Sequence, residues 1–249
     1  MFSTIYILWL RQIKRYFRSR ARLVGSLGQP ILFLVALGYG FGPVYAKAGG
    51  GNYIQFLAPG IIAMSILFMA MFNGIELIWD KQFGFLKETL AAPVSRFSIM
   101  LGRTFGGATV ATLQGVIVFL ISVLVGFRPV NYYFLLFAVA FMFCIALVFT
   151  ALGTAIASFL EDMHGFQLIM NFLVMPTFFL SGALFPLSGL PKTIYAITLI
   201  NPLSYGVDGL RQTVSGVAIY SGWLDFGVLI FCVFLVLSLG SFLFSRIEV

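Results

Sequence analysis

Residues 76–103 read ELIWDKQFGFLKETLAAPVSRFSIMLGR and separate two long apolar runs. Charged residues are concentrated in this stretch, although they make up only 9% of the chain and hydrophobic residues make up 61%. A water-soluble domain of 249 residues cannot hide so much apolar surface. The chain is therefore predicted to be an integral membrane protein, and its charged stretch must lie in water.

The apolar runs have the length of membrane-spanning helices, which need roughly 20 mostly apolar residues. Transmembrane β-strands alternate apolar and polar residues over about 10 positions, whereas these runs are apolar on every face. The fold class is thus predicted to be all-α, with a single transmembrane domain over residues 1–249. Six transmembrane helices are expected at residues 23–43, 54–79, 104–126, 134–159, 166–186 and 223–244.

The distribution of Lys and Arg predicts the orientation. Eleven basic residues, Arg246 among them, lie in segments on one side of the spans, and four lie on the other. Both termini are therefore expected to be cytoplasmic, in a multi-pass protein of a bacterial or archaeal plasma membrane. The net charge of +7 is explained by this asymmetry, so no nucleic-acid partner is expected.

Residues 1–22 have the spacing of an amphipathic helix, with aromatic and aliphatic residues on one face. The basic face carries Arg11, Lys14, Arg15 and Arg18. Such a helix suits the inner headgroup layer of a membrane. Two interpretations remain open: an anchor that follows the positive-inside rule, or a lever that joins a cytosolic partner to the first span.

The charged stretch between the second and third spans also has helical spacing. Its apolar residues recur at i, i+4, i+7 and i+11: Trp79, Phe83, Leu86 and Leu90. Pro93 is expected to end the helix. Phe85 and Glu88 lie on the opposite face. An exposed Phe85 indicates either docking into a groove of another protein or a helix packed on its own bundle, with Phe85 in the headgroups.

Three motifs carry a family resemblance: FLKETLAAPVSR with the later LGR (residues 85–103), FFLSGALFPLSGLP (178–191) and LINPLSYGVDGLRQ (199–212). Their order resembles the type-2 ABC transporter membrane subunits, which include the daunorubicin-resistance and nodulation-factor export permeases. The resemblance covers nearly the whole chain in length, number of spans and order of motifs.

The resemblance implies that residues 80–103 form a cytosolic coupling loop whose helix sits in a cleft of a separate ATPase subunit. The implied coupling residues are Phe85, Leu86, Lys87, Glu88 and, at a second cytosolic contact, His164. It also implies that residues 1–22 are a connecting helix. Two ATPase subunits and a second permease copy, or a related chain, would complete the transporter.

The expected activity is ATP-driven export of a lipophilic drug, a lipid or a lipid-linked glycan. No G-x-x-x-x-G-K-[S/T] phosphate loop occurs in the sequence. This chain is therefore expected to be no enzyme and to hold no cofactor, with ATP and Mg bound by the partner ATPase. The chain has one His and two Cys, which are too few for a typical metal site, and an intramembrane enzyme would need clustered His, Asp, Glu or Cys.

Residues 187–222, between the fifth and sixth predicted spans, are too apolar for a plain loop. The apolar stretch 193–200 is too short to span, so it is expected to form a re-entrant or interfacial helix on the outer side. Asn201 and Pro202 suit the cap and first turn of a following helix. The resemblance implies that such paired short helices form an outer lid.

Two structural ion pairs are predicted. Asp208 and Arg211 lie three residues apart, within reach on one helix face. Glu76, near the inner end of its span, is expected to pair with Arg103 or Lys81. The alternative for Glu76 is binding of a cationic substrate.

The fifth predicted span contains polar and helix-breaking residues, which usually face protein or a cavity when they lie in a membrane. Asn171 either bonds a neighbouring helix or lines a translocation path, with Pro176 bending the helix and Phe178 and Phe179 as an apolar gate. The resemblance favours the path. An ion-coupled secondary transporter or channel that works without an ATPase is the alternative function. It predicts ionisable residues in mid-span, and the predicted spans hold almost none.

Overall fold

The computed structural model describes residues 2–130, 132–187 and 190–245. Arg246, which contributes to the predicted orientation, lies outside them. The described residues form helices and turns and contain no strand. The helices are α1 (Phe2–Arg18), α2 (Arg20–Lys47), α3 (Tyr53–Gln82), α4 (Phe85–Ala91), α5 (Arg96–Val125), α6 (Leu135–Phe159), α7 (Met163–Phe179), α8 (Lys192–Ile200), α9 (Pro202–Ser215) and α10 (Gly222–Ser245).

Five helical segments of the described chain are long and apolar enough to cross a membrane. They are Leu23–Lys47, Tyr53–Gln82, Arg96–Val125, Tyr132–Phe159 and Gly222–Phe244. The remaining predicted span, 166–186, corresponds to α7, which has 17 residues and a length of about 26 Å. It ends at Phe179, and the chain then turns through Gly182, whose φ is 75°. The all-helical membrane architecture is confirmed, and five is the number of spans that length and composition support.

Helix α3 is the centre of the bundle and is buried along most of its length. Its backbone lies against that of α6 at two glycines: a Cβ on Gly74 would lie 2.5 Å from the carbonyl oxygen of Gly153. Asn73 donates a hydrogen bond of 3.2 Å to the Gly107 carbonyl of α5. Small residues at crossings are how helices approach closely in membranes, where apolar burial from water contributes little.

Helix α1 packs lengthwise against α5. Gly102 and Gly106 give it room, because a Cβ at either position would lie within 3.2 Å of α1 atoms. Trp9 donates to Thr109 (3.0 Å) and, further along both helices, Tyr16 donates to Gln114 (2.7 Å). The two helices therefore run in the same direction. The predicted position of α1 in a headgroup layer stays a prediction, and these polar pairs show that α1 runs along α5.

The charged stretch is broken at Gly84, whose φ of 78° suits glycine. Helix α3 ends at Gln82 and α4 starts at Phe85, so the single continuous stripe predicted from Trp79 to Leu90 is wrong. The break turns Phe83 outward, and its side chain is 71% exposed. The expected end before Pro93 is confirmed, since α4 ends at Ala91.

The outer segment contains the two predicted short helices, α8 and α9. Asn201 caps α9, because its side-chain oxygen accepts a hydrogen bond from the Leu203 amide at 3.0 Å, and Pro202 occupies the first turn. Asn201 also donates to the Thr177 carbonyl of α7 at 2.7 Å, which ties α9 to the end of α7. The re-entrant position of these helices stays a prediction.

Candidate functional site

Helix α4 presents one side to solvent. Phe85 is 52% exposed, and Lys87 and Glu88 are exposed beside it. Leu86 is fully buried, so it anchors α4 to the bundle and does not share the exposed surface of the other three predicted coupling residues. The result is a short helix with an apolar and charged outer face on a fixed base.

The end of α3, which leads into α4, is held against α6 by Lys81. Lys81 donates to the carbonyl oxygens of Ala157, Ser158 and Leu160 at 3.1, 2.7 and 3.2 Å. A lysine ammonium suits this position because the last carbonyls of a helix have no partner within the helix. Lys81 therefore binds the end of α6. It does not form the predicted pair with Glu76.

The segment between α6 and α7 lies at the same end of the bundle. Gln82 donates to the Glu161 carbonyl at 3.0 Å, and Asp162 caps α7 through the Gly165 amide. His164, predicted at a second cytosolic contact, is exposed in the first turn of α7. The structure thus brings His164 and α4 to one end of the molecule.

A buried ionic cluster joins α1, α3 and α5. Asp80 accepts from Arg103 of α5 and from Arg11 of α1, the latter at 3.0 Å. Glu76 lies 3.6 Å from Arg15, whose guanidinium also lies over the Trp79 ring at 5.7 Å. Both carboxylates are at least 96% buried.

The prediction expected Arg103 or Lys81 as the partner of Glu76, and the charge of Glu76 does act on Arg103. Within the cluster Glu76 also lies beside Arg15, and Asp80 forms an ion pair with Arg103. Asp80 was missed as a site residue. Its position four residues after Glu76 is the signal that could have revealed it, since such residues share a helix face.

Asp208 and Arg211, in the outer segment, have separate partners. The Asp208 carboxylate accepts from the amides of Ile219 and Tyr220 at 2.8–2.9 Å, which fixes the loop between α9 and α10. Arg211 donates to the Gly182 carbonyl at 3.0 Å. The direct ion pair predicted for these two described residues is wrong, because α9 directs them to different loops.

Arg211 is almost fully buried, and its guanidinium lies 4.1 Å from the centroid of the Phe56 ring. Burial lowers the pKa of Arg211 to about 10, while the charge of Asp208 opposes this shift. Arg211 therefore stays protonated at neutral pH. Its cation joins the turn after α7 to the N-terminal part of α3 at Phe56.

We expect Arg211→Met to lower the free energy of unfolding by about 2–3 kcal/mol, because a buried Gly182 carbonyl would lose a charged donor. Thermal unfolding of the detergent-solubilised chain measures this. The matched control is Lys192→Met, which removes an exposed cation from the same outer segment. Equal melting temperatures for the two variants would contradict the assigned role of Arg211.

Sequence reasoning also missed Asp225, in the first turn of α10. Its side chain is 0% exposed, and neither carboxylate oxygen has a hydrogen-bond partner among the described residues. Its place near a helix N-terminus is the favourable position for a carboxyl group. Nothing in the local sequence reveals its burial.

Helix α7 has one covered and one open face. Phe166, Met170, Val174 and Phe178 form the buried stripe, so Phe178 packs inward and is not available as the predicted gate residue. Asn171, Pro176 and Phe179 are exposed. Asn171 forms no hydrogen bond with any described residue, so the alternative that it bonds a neighbouring helix of this chain is wrong.

The amino-acid sequence matches a known family of membrane proteins. The family model described as ABC-2 type transporter matches residues 3–215. The chain belongs to this family. The match includes α1, the α4 loop, all of α7 and the outer helices up to Ser215, so every candidate site residue discussed here except Asp225 lies within it.

Three relatives show what this ABC-2 family member is similar to. Nodulation protein J of Rhizobium leguminosarum bv. viciae is 29% identical over 93% of this chain and 86% of its own length. The putative transport permease ycf38 of Pyropia yezoensis is 30% identical, with coverages of 87% and 76%. The inner membrane transport permease YadH of Escherichia coli (strain K12) is 27% identical, with coverages of 90% and 87%. This ABC-2 family member is therefore a membrane component of the permease type.

Proposed function

We propose that this permease is the transmembrane subunit of an ATP-driven exporter, with two separate ATPase subunits at the end of the bundle that carries α4. The observation that carries the proposal is α4 itself. Its base is fixed by Leu86, while Phe85, Lys87 and Glu88 face outward. A partly exposed aromatic residue surrounded by charge is typical of the anchors that fill pockets in protein interfaces.

The contacts around α4 support force transmission into the bundle. Lys81 joins the end of α3 to the end of α6, and Asp80 joins α3 to α1 and α5. A displacement of α4 would therefore move several helices together. ATP binding would close the ATPases and move α4, and the outward-facing state would follow; hydrolysis would reset the bundle.

The open face of α7 supports pairing with a second copy or a related permease chain. Asn171 is exposed in α7, which we assign as a further span, the fifth in chain order, and polar groups inside a membrane usually face protein or a water-filled cavity. We place the translocation path along this face, with Asn171, Pro176 and Phe179 as its lining. Its apolar residues suit a lipophilic drug, a lipid or a lipid-linked glycan as cargo.

The orientation in the membrane follows from the basic residues. Helix α1 and the α4 loop hold most of them, which assigns this end and both termini to the cytoplasm by the positive-inside rule. ATP and Mg would bind to the partner subunits.

The test is the double substitution Phe85→Ala and Glu88→Arg. We expect loss of co-purification with the ATPase subunit and at least a tenfold drop in ATP-driven transport, because hot-spot truncations in interfaces often cost more than 2 kcal/mol. The melting temperature should not change, since both side chains are exposed. Phe137→Ala is the control: its side chain is 54% exposed, close to the 52% of Phe85.

Full ATPase binding and transport in the double variant would overturn the proposal. Substrate movement into liposomes by the permease alone, driven by an ion gradient without ATP, would favour the ion-coupled alternative.

A further inference from the structure

A chamber of about 760 Å³ lies between α1 and the end of α3. Four basic side chains of α1 line it: Arg11, Lys14, Arg15 and Arg18. The opposite wall contains Asp80 and the aromatic residues Trp79, Phe83 and Phe85. The chamber therefore combines an excess of positive charge with aromatic surface.

A second cavity, of about 570 Å³, adjoins the chamber. The two share three wall residues: Arg15, Ser19 and Trp79. From there the second cavity follows α3 from Glu76 to Met64, a distance of about 18 Å. Its walls are mainly apolar side chains such as Phe68 and Phe72, so we call it the apolar groove.

Two of the four cations in the chamber form ion pairs and two do not. Arg11 and Arg15 are paired with the buried carboxylates of Asp80 and Glu76. Lys14 and Arg18 lie four residues apart on α1, are exposed, and form no ion pair with any described residue. Two adjacent cations without a counter-charge attract an anion, most strongly beside a low-dielectric surface.

We propose that the chamber and the apolar groove together bind one anionic glycerophospholipid of the adjacent leaflet. Its phosphate contacts Lys14 and Arg18, and an acyl chain fills the groove beside α3. The length of the groove matches the hydrocarbon depth of one leaflet, about 15 Å. Basic pockets beside transmembrane helices are known binding places for acidic headgroups. The bound lipid joins α1 to α3, beside the Phe85 side chain that the proposed function assigns to the ATPase contact.

The connection to the apolar groove favours a lipid over an acidic segment of a protein. A protein segment would satisfy Lys14 and Arg18 but would leave the groove between α2 and α3 unfilled. A phospholipid has both parts in the order that the cavities present: a charged headgroup next to the chamber and an apolar chain along Phe72 and Phe68.

The experiment compares the purified full chain in vesicles of phosphatidylglycerol and of phosphatidylcholine, and counts the lipids that remain bound after extraction by native mass spectrometry. We expect wild type to retain phosphatidylglycerol in preference to phosphatidylcholine. Lys14→Gln with Arg18→Gln should reduce retained phosphatidylglycerol at least fivefold. Lys47→Gln with Lys192→Gln is the matched control, because it removes two exposed lysines from the other end of the bundle.

A second variant tests the groove alone. Gly25 lines the groove, and a Cβ at this position would meet no heavy atom within 4 Å, so Gly25→Leu should fold normally and obstruct the acyl chain. We expect this variant to lose retained lipid while Lys14 and Arg18 are intact.

Three results would overturn the proposal. Equal retention of the two lipids by wild type would contradict the headgroup assignment, and normal retention by Gly25→Leu would contradict the groove. Unchanged phosphatidylglycerol retention in the Lys14→Gln, Arg18→Gln variant, together with lost ATPase binding, would assign the basic face to a protein partner instead.

Discussion

Replacement of Asp80 by alanine is expected to lower the free energy of unfolding by about 3–5 kcal/mol, because it removes the hydrogen-bonded counter-charge of a buried cation, Arg103. Asp80 is 3% exposed and Arg103 is 5% exposed. Arg103 would keep its charge in surroundings that hold little water. Arg11 would lose its ion pair with Asp80 at the same time, so α1 would be held less firmly against α3.

Thermal unfolding in detergent, calibrated by reversible denaturation, measures the effect of Asp80→Ala. Glu88→Ala is the control, since it removes an exposed carboxylate and should change stability by no more than about 0.5 kcal/mol. The double variant Asp80→Ala, Arg103→Met should recover part of the loss, because an apolar replacement of both partners removes the unpaired buried charge. If Asp80→Ala unfolds at the same temperature as Glu88→Ala, the cluster does not hold the helices together.

Most helix positions could be predicted from the sequence. Long apolar runs predict the spans because the membrane leaves few alternatives to a helix for an apolar segment. Local chemistry also predicts the cap of α9, since Asn201 and Pro202 act within their own turn. The spans and this cap were therefore predictable, whereas the pair of Asp208 and Arg211 was not, because both side chains bond to loops that are distant from them in the sequence or lie beyond the helix.

Features that depend on distant partners were not predictable in the same way. Glu76 pairs with Arg15, about 60 positions earlier, and this choice follows from the packing of α1 along α5. The break at Gly84 has a local cause. Its consequence, the exposure of Phe83, depends on the relative directions of α3 and α4, which the local sequence does not give. Phe178 and Phe179 are adjacent, and only the position of α7 on α3 decides which of them is buried.

Gly74→Val is expected to lower the free energy of unfolding by about 3 kcal/mol or more, at or above the usual range for overpacking. The Cβ would lie 2.5 Å from the Gly153 carbonyl oxygen and 2.7 Å from the ring of Phe166. The carbonyl belongs to the backbone of α6 and cannot rotate away. Helices α3 and α6 would have to separate, and in a membrane their association depends on close packing.

Gly40→Val is the matched control for this prediction. It makes the same chemical change in another apolar helix, and a Cβ on Gly40 would meet no heavy atom within 4 Å. The difference between the two variants therefore isolates the contact of α3 with α6 from the general effect of valine on a helix. We expect Gly40→Val to be recovered in normal yield with an unchanged melting temperature, and Gly74→Val to be recovered poorly or with a lower one. Equal behaviour would mean that α3 and α6 do not meet at Gly74.

Because α3 also contains Asp80 and leads directly into α4, loss of this contact should weaken the coupling of α4 to the rest of the bundle as well.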